Sequence, residues 1–301
     1  MQMNYYIPSH DKKVTLHLYV EGNQDAEVII MFSHGMAEHK ERYFKFINEL
    51  CHHHFLCAIH DHRGHGNSVS SKEDYGFFND RSGTEIVEDL HEIEMFLKSK
   101  YPGKKLYMFS HSMGTLVARN YIQQYDTAID KLVLCGPPYH NKAATLGLWL
   151  TKLLYYSKGD YYRSAFIQRL AFGSFDKKCN AKIPNGWINS NIEEVKKYNE
   201  NQKCGFVFTT DGFINLFTLM IHCYSKTRYQ MQHNNLPILM IAGEDDPVIG
   251  NQKRFYQQAA FLKDLGYNHV DTKLYPTMRH EILNETNHKA VYKDILSFYL
   301  K

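Results

Sequence analysis

Ser112 lies in the pentad Ser110-His111-Ser112-Met113-Gly114, between an apolar run at 106–109 and a helix-like segment at 115–124. A serine among small residues at a strand-to-helix turn sits on a backbone so tight that its hydroxyl is thrown clear of the sheet, where a base can reach it. The pattern makes Ser112 a candidate nucleophile. Such turns commonly open with glycine. Here Ser110 takes that place, and it is only slightly larger. The competing reading is an ordinary strand followed by a helix, with Ser112 near its N-cap. The partners of Ser112 must decide between the two.

A serine nucleophile needs a base, a group that orients the base, and donors for the oxyanion. Pro276-Thr277-Met278-Arg279-His280-Glu281 follows a strand expected at 269–275 and offers His280 as the base. The buried run at 237–242 leads into Gly243-Glu244-Asp245-Asp246-Pro247-Val248, where three acids compete. Asp246 precedes a proline, which holds its backbone extended; Asp245 is the alternative. The order Ser112, Asp246, His280 is the order of an α/β-hydrolase triad. A further strand at 28–32 runs into Ser33-His34-Gly35-Met36-Ala37-Glu38-His39. The backbone N–H groups of Met36 and Met113 are the candidate oxyanion donors, and they must come within about 2.7–3.1 Å of that oxygen. Asp61-His62-Arg63-Gly64-His65-Gly66-Asn67-Ser68 reads as a structural loop locked beside the nucleophile turn, with His65 outside the chemistry.

These residues need a scaffold, and strand-like and helix-like segments alternate along the chain. Residues 14–20 alternate like a half-buried edge strand. Continuous apolar runs at 28–32, 55–59, 106–109, 131–135 and 237–242 read as strands buried on both faces. Helical spacing appears at 41–51, 84–97, 251–265 and 289–300. In the second of these, Ile86, Leu90, Ile93 and Leu97 form the apolar stripe, with Glu85, Glu88, Asp89 and Glu92 on the polar one. The alternation predicts an α/β fold: a mostly parallel sheet with helices on both faces. Between 139 and 235 no buried strand occurs. Helical stretches at 146–156, 165–172 and 213–224 replace it. The expected organisation is therefore a core of 1–138 and 236–301 with a helical cap at 139–235.

The chain has 301 residues, 44% of them apolar, and a formal net charge of +3. No Lys/Arg block stands out, so nucleic-acid binding is not expected. His52-His53-His54 reads as a solvated helix end, and no metal site is expected there. Six scattered cysteines, without a Cys-x-x-Cys pair, suit a reducing cytosol. The N-terminal residues show no basic region followed by an apolar stretch, so no signal peptide is expected. The expected location is cytoplasmic, with peripheral membrane contact as a further expectation.

The motifs together resemble the α/β-hydrolase family of monoacylglycerol lipases and bacterial lysophospholipases, the serine aminopeptidase-like hydrolases. His34-Gly35-Met36-Ala37-Glu38-His39 with Arg42-Tyr43 is similar to the family's oxyanion loop. Residues 61–68 are similar to its Asp-x-Arg-Gly-His-Gly-x-Ser block, and Ser110 to Gly114 to its nucleophile elbow. Gly243 to Val248 is similar to the acid loop, with Asp246 on the catalytic aspartate. His280 to Glu285 is similar to the block around the catalytic histidine, and Cys204 to Thr209 resembles a cap stretch of bacterial members. The resemblance implies a two-step ester hydrolysis through an acyl-serine, with Ser112, Asp246 and His280 as triad. Met36 and Met113 would hold the oxyanion, and no cofactor or metal would be needed.

The cap is expected to choose a small acyl-ester substrate. Leu146, Trp149, Leu150, Leu153 and Leu154 share one side of a helix, and Phe213, Leu216, Phe217, Met220 and Ile221 another. Each stripe fits either a helix packed on the core or a wall for an acyl chain. Trp149, Leu150, Phe213 and Phe217 are the expected substrate contacts, and a transient lipid-surface contact is expected through the cap. A binding protein without chemistry, or an amidase or acyltransferase on the same triad, are the alternative functions.

Overall fold

The computed structural model describes residues 1–301 and is built on one eight-stranded sheet. The strands are β1 (Gln2–Pro8), β2 (Thr15–Gly22), β3 (Val28–Ser33), β4 (Leu56–His60), β5 (Lys105–His111), β6 (Lys131–Cys135), β7 (Ile238–Gly243) and β8 (Val270–Tyr275). Their spatial order is β1-β2-β4-β3-β5-β6-β7-β8. β1 pairs antiparallel with β2, and β2 with β4; from β4 onward every neighbouring pair is parallel. The segment at 14–20 is thus the second strand rather than the edge. The edge is β1, whose burial alternates between exposed and half-buried along its whole length.

Apolar runs become strands here because both faces of the sheet are covered. In β3, Ile29 and Met31 point to one core, and Ile30 and Phe32 to the other. In β5, Leu106 and Met108 share the first core, and Tyr107 and Phe109 the second. The first is closed by α2 (Glu85–Lys100), α3 (Met113–Tyr125) and α9 (Gln252–Leu265); the second by α1 (Phe44–His52) and α10 (His288–Leu300). A fully buried aliphatic or aromatic side chain contributes about 1.5–3 kcal/mol over its exposed state. That is why a single-sided, alternating sequence pattern would not serve in β3 to β7.

Asp89 departs from its expected place on the solvent stripe of α2. It is buried, and both its oxygens take bonds from Arg63, at 2.7 Å from Nε and 3.0 Å from Nη2. Arg63 also reaches the Phe78 carbonyl and Asp11, so the 61–68 loop is anchored through a buried ion pair. Helical spacing places Asp89 only a short arc from the apolar stripe, and the pairing partner decides on which side it falls.

Between β6 and β7 the chain forms α4 (Ala143–Lys158), α5 (Ala165–Phe172), α6 (Phe175–Lys178), α7 (Ile192–Glu200) and α8 (Thr210–Cys223). This insert packs back through α8 against α4 and α3. The order of strands reverses at β3, which has β4 on one side and β5 on the other. The loops leaving β3 and β5 therefore open into the crevice where parallel sheets bind ligands.

Candidate active site

β5 runs straight into α3 through Ser112, whose φ of 51° and ψ of −120° lie outside the helical and extended regions. Such a backbone costs on the order of 1–3 kcal/mol unless its surroundings impose it. Here they do. The Ser112 N–H donates to the Cys135 carbonyl at 2.9 Å, and the Ser112 carbonyl accepts from the Thr115 N–H and Oγ1. A Cβ on Gly114 would stand 2.1 Å from the Ser33 carbonyl, so the elbow closes against the end of β3 only because that residue is glycine. Ser112 makes no side-chain cap bond, which sets aside the reading as an ordinary N-cap. Ser110 is tolerated because its buried hydroxyl donates to the Val133 carbonyl of β6 at 2.9 Å.

The acid and base loops meet at the ends of β7 and β8. Asp246 is buried, while Glu244 and Asp245 are exposed. Its Oδ1 accepts the Val248 N–H at 2.8 Å, and its Oδ2 stands 2.8 Å from His280 Nδ1. With Nδ1 committed to the carboxylate, Nε2 is the free lone pair of the imidazole. Nε2 is buried and has no partner. Burial alone would push the His280 pKa down; Asp246, then Glu281 and Glu38, more than offset it and hold it above the ordinary histidine value. The ring lies 4.6 Å from the His111 ring and 5.2 Å from that of Trp187. His111 itself stays neutral, pushed down to about 3 by burial and by the neighbouring His280.

The loop after β3 is organised by Glu38. Its carboxylate accepts the Gly35 N–H and the Tyr43 hydroxyl, and it shares Arg42 with Glu281. Burial opposes ionisation of Glu38, but His111, Arg42 and His34 outweigh it and bring its pKa down to about 2. Met36 follows this clamped Gly35. Met113 opens α3, where a first-turn N–H has no carbonyl one turn back. Both line a cavity of about 250 Å³ that Ser112 and His280 also line. A nucleophile, an oriented base and free backbone donors around one cavity can carry acyl transfer.

Of the expected substrate contacts, only Phe217 lines this cavity. Trp149 is 58% exposed, and Leu150 is half-buried against the core. Phe213 is fully buried between the Phe208 and Phe217 rings. The face that α4 turns to the cavity carries its small residues, Ala143, Ala144 and Gly147, because the α8 side chains already fill the space. Trp187, Tyr198 and Phe206 line the cavity as well. Trp187 and Phe206 sit in short or irregular stretches where hydrophobic periodicity offers no signal, and Tyr198 lies on the buried side of α7. His65 accepts the Ala37 N–H at 3.2 Å and serves the loop.

Comparison with known proteins agrees with this architecture. Residues 24–287 match the family described as serine aminopeptidase, S33. A human monoglyceride lipase is 30% identical over 278 residues, covering 87% of this chain and 81% of its own. A monoglyceride lipase homolog of Monkeypox virus is 23% identical, covering 89% of this chain and 88% of its own. Among solved structures, a thermostable carboxyl esterase from Bacillus coagulans, in complex with glycerol, superimposes with a TM-score of 0.91 at 25% identity, covering 99% and 97% of the two chains. A matched span of this length, over an eight-stranded mostly parallel sheet with helices on both faces, means that the chain belongs to the serine aminopeptidase S33 family and is an α/β-hydrolase.

Proposed function

We propose that this protein is a serine hydrolase of carboxylic esters, with monoacylglycerols or lysophospholipid-type acyl esters as its substrates. The observation that carries the reading is the imidazole of His280, bound through Nδ1 to Asp246 and left with a free Nε2 at the cavity that Ser112 lines. Ser112 Oγ attacks the ester carbonyl as His280 Nε2 takes its proton. Asp246 stabilises the resulting imidazolium, and the N–H groups of Met36 and Met113 hold the oxyanion. His280 then returns the proton to the leaving alkoxide. Water, deprotonated by the same nitrogen, releases the acid from Ser112.

The substrate class rests on the apolar part of the cavity, where Leu116, Leu216, Phe217 and Met220 suit an acyl chain better than a charged peptide. Two further lines support it: relatives named monoglyceride lipase, and one of Haemophilus influenzae named probable lysophospholipase L2. Ser112→Ala is expected to lower hydrolysis of short p-nitrophenyl esters by roughly six orders of magnitude. Retention of full activity in that variant would remove Ser112 from its role. Labelling of Ser112 by a fluorophosphonate separates this reading from a binding protein without chemistry. Rates on monoacylglycerols, lysophospholipids and matched amides rank the substrates.

A lipid surface is the proposed source of that substrate. Leu146, Trp149 and Leu153 of α4 are exposed together, as are Phe166 and Leu170 of α5. Lys152, Lys158 and Arg169 lie in these two helices and Lys142 and Arg163 just before them, a composition that favours anionic interfaces. No helix is long and apolar enough to cross a membrane. All six cysteines are free, which suits a reducing compartment such as the cytosol. Co-sedimentation with phosphatidylglycerol vesicles should drop in a Trp149→Ser, Leu153→Ser variant; unchanged binding would exclude this face.

A further inference from the structure

The residues on either side of His280 are bonded to the insert as well as to the core. The Arg279 guanidinium donates to three carbonyls of the insert: to Cys179 at 2.8 Å from Nη2, and to Asn189 at 3.3 Å and Gly186 from Nη1. The Glu281 N–H donates to the Ile188 carbonyl at 2.7 Å. Glu285 closes the connection, since its Oε1 accepts the Arg279 N–H at 2.9 Å and the Ser190 N–H at 2.8 Å, while Ser190 Oγ donates to its Oε2. From the same stretch Trp187 lays its ring 5.2 Å from the His280 ring. That stretch is itself held, as Asp176 accepts the N–H groups of Asn185 and Trp187 at 3.1 Å each.

A planar guanidinium that satisfies three carbonyls at once defines a direction as well as a distance. A base must be held within about 0.5 Å and 10–20° of its working position. Here the core supplies two restraints on the imidazole, Asp246 at Nδ1 and the His111 ring of β5 at 4.6 Å. The rotation of the ring about the bond to Asp246 is bounded by His111 from the core and by Trp187 from the insert, together with the backbone at 279 and 281. The loop before His280 is tied to the core through the Asp245 N–H, which donates to the Met278 carbonyl at 3.0 Å. Arg279 is the first residue beyond that tie, and the first whose side chain leaves the core for the insert.

We propose that Arg279 is a positioning residue, which lets the insert over the cavity set the orientation of the His280 imidazole toward Ser112. The inference rests on the proposed role of His280 as base. It adds that the element forming the wall of the substrate cavity also aligns the base, through Arg279, Glu285 and the Trp187 contact. Acylation is then sensitive to how the insert sits, even for substrates too short to fill the cavity.

The test compares Arg279→Ala and Arg279→Lys with the unaltered protein on p-nitrophenyl acetate. Arg279→Ala is expected to lower kcat 10- to 100-fold with KM changed less than threefold, and to shift the acid limb of the kcat/KM profile to lower pH as the imidazole loosens from Asp246. Arg279→Lys, which keeps one donor toward the carbonyls, should recover part of both. The pKa of the His280 imidazole, followed by its proton NMR signal, should fall in Arg279→Ala and not in Lys152→Ala, a change on the far face of α4. This reading does not depend on turnover. If Ser112 proves unreactive, the proposed hydrolysis fails while the titration still tests the coupling. Should Arg279→Ala unfold, Trp187→Ala removes the ring contact while leaving the Arg279 bonds in place, and should produce a fall in kcat and in imidazole pKa in the same direction. A lower melting temperature with kcat, pH limb and imidazole pKa unchanged would make Arg279 a strut and overturn the proposal.

Discussion

His280 Nδ1 stands 2.8 Å from Asp246 Oδ2, and the other oxygen of Asp246 is taken by the Val248 N–H at 2.8 Å. The carboxylate is thus held at both ends and has one orientation to offer the imidazole. Asp246→Asn replaces an acceptor with a group that can donate, which favours the wrong tautomer of His280. We expect kcat to fall by roughly four orders of magnitude, the scale seen when a triad aspartate is so replaced. Asp245→Asn, on an exposed side chain of the same loop, should leave kcat within about threefold. Ester hydrolysis under saturating substrate measures both. Equal losses in the two variants would contradict the assignment.

Activity should follow the neutral form of His280, since only the free Nε2 can take the Ser112 proton. Asp246, Glu281 and Glu38 hold the His280 pKa above 6.5 against the effect of burial. The protonated, inactive form therefore persists to a higher pH than for an ordinary histidine. As pH falls through the raised pKa, kcat/KM should drop about tenfold per unit. His111 adds no second limb in this range, because it stays neutral to about pH 3. A pH–rate profile from 5 to 9 with its midpoint below 6.5 would contradict this assignment of the base.

The strand ends were legible in the sequence because parallel strands buried on both faces are unbroken apolar runs. The elbow and the acid loop each follow such a run, whereas the His280 loop follows β8, an edge strand buried only at its two ends. β1 was not legible, because an edge strand covered on one side by α2 residues such as Phe96 carries no long apolar run. Trp149 shows the limit of the amphipathic argument. Large apolar residues at helical spacing mark a side of α4, but Gly147 and Ala144 face the cavity and Trp149 faces out. The links from Arg279 and Glu285 to the insert lay beyond reach for another reason. They join side chains to backbone carbonyls and N–H groups some 90 to 100 residues away, and a backbone group leaves no mark in a sequence.

Gly147 sets how closely α4 approaches α8. A Cβ there would stand 2.9–3.1 Å from atoms of the Phe217 ring, which lines the cavity. Gly147→Val should push that ring toward the acyl space and narrow it. Rates on C12 and C16 esters are expected to fall at least tenfold relative to C4, with little change on C2. Phe217→Ala should shift the preference the opposite way, at a stability cost of about 3–5 kcal/mol. A chain-length series measures both. The same preference in both variants would show that this contact does not bound the acyl site.

Four buried histidines underlie the loop after β3. The His34 and His62 rings are 4.4 Å apart, those of His60 and His62 4.6 Å, and those of His34 and His65 5.2 Å. Two of them act as acceptors through Nε2, His34 from the His62 N–H at 3.0 Å and His65 from the Ala37 N–H at 3.2 Å. Protonation would remove both acceptors and place like charges in contact. Burial pushes all four down, His60 and His65 to about 3, despite the nearby Asp61 and Glu38; Lys40 acts in the same direction as burial on His34 and His60. The unfolded chain binds these protons near the ordinary value of about 6.5. Their contribution to stability is complete above that pH and is lost as pH falls from it toward 3, at up to ~1.4 kcal/mol per histidine per unit. His280 has the opposite sign and acts above 6.5, so the two windows do not overlap. The melting temperature should therefore decline steeply between pH 6 and 4.5. His65→Gln, which keeps an acceptor and cannot be protonated, should decline less steeply. A melting temperature level from pH 7 to 4.5, or a His65→Gln slope equal to that of the unaltered protein, would show that the cluster does not govern acid stability.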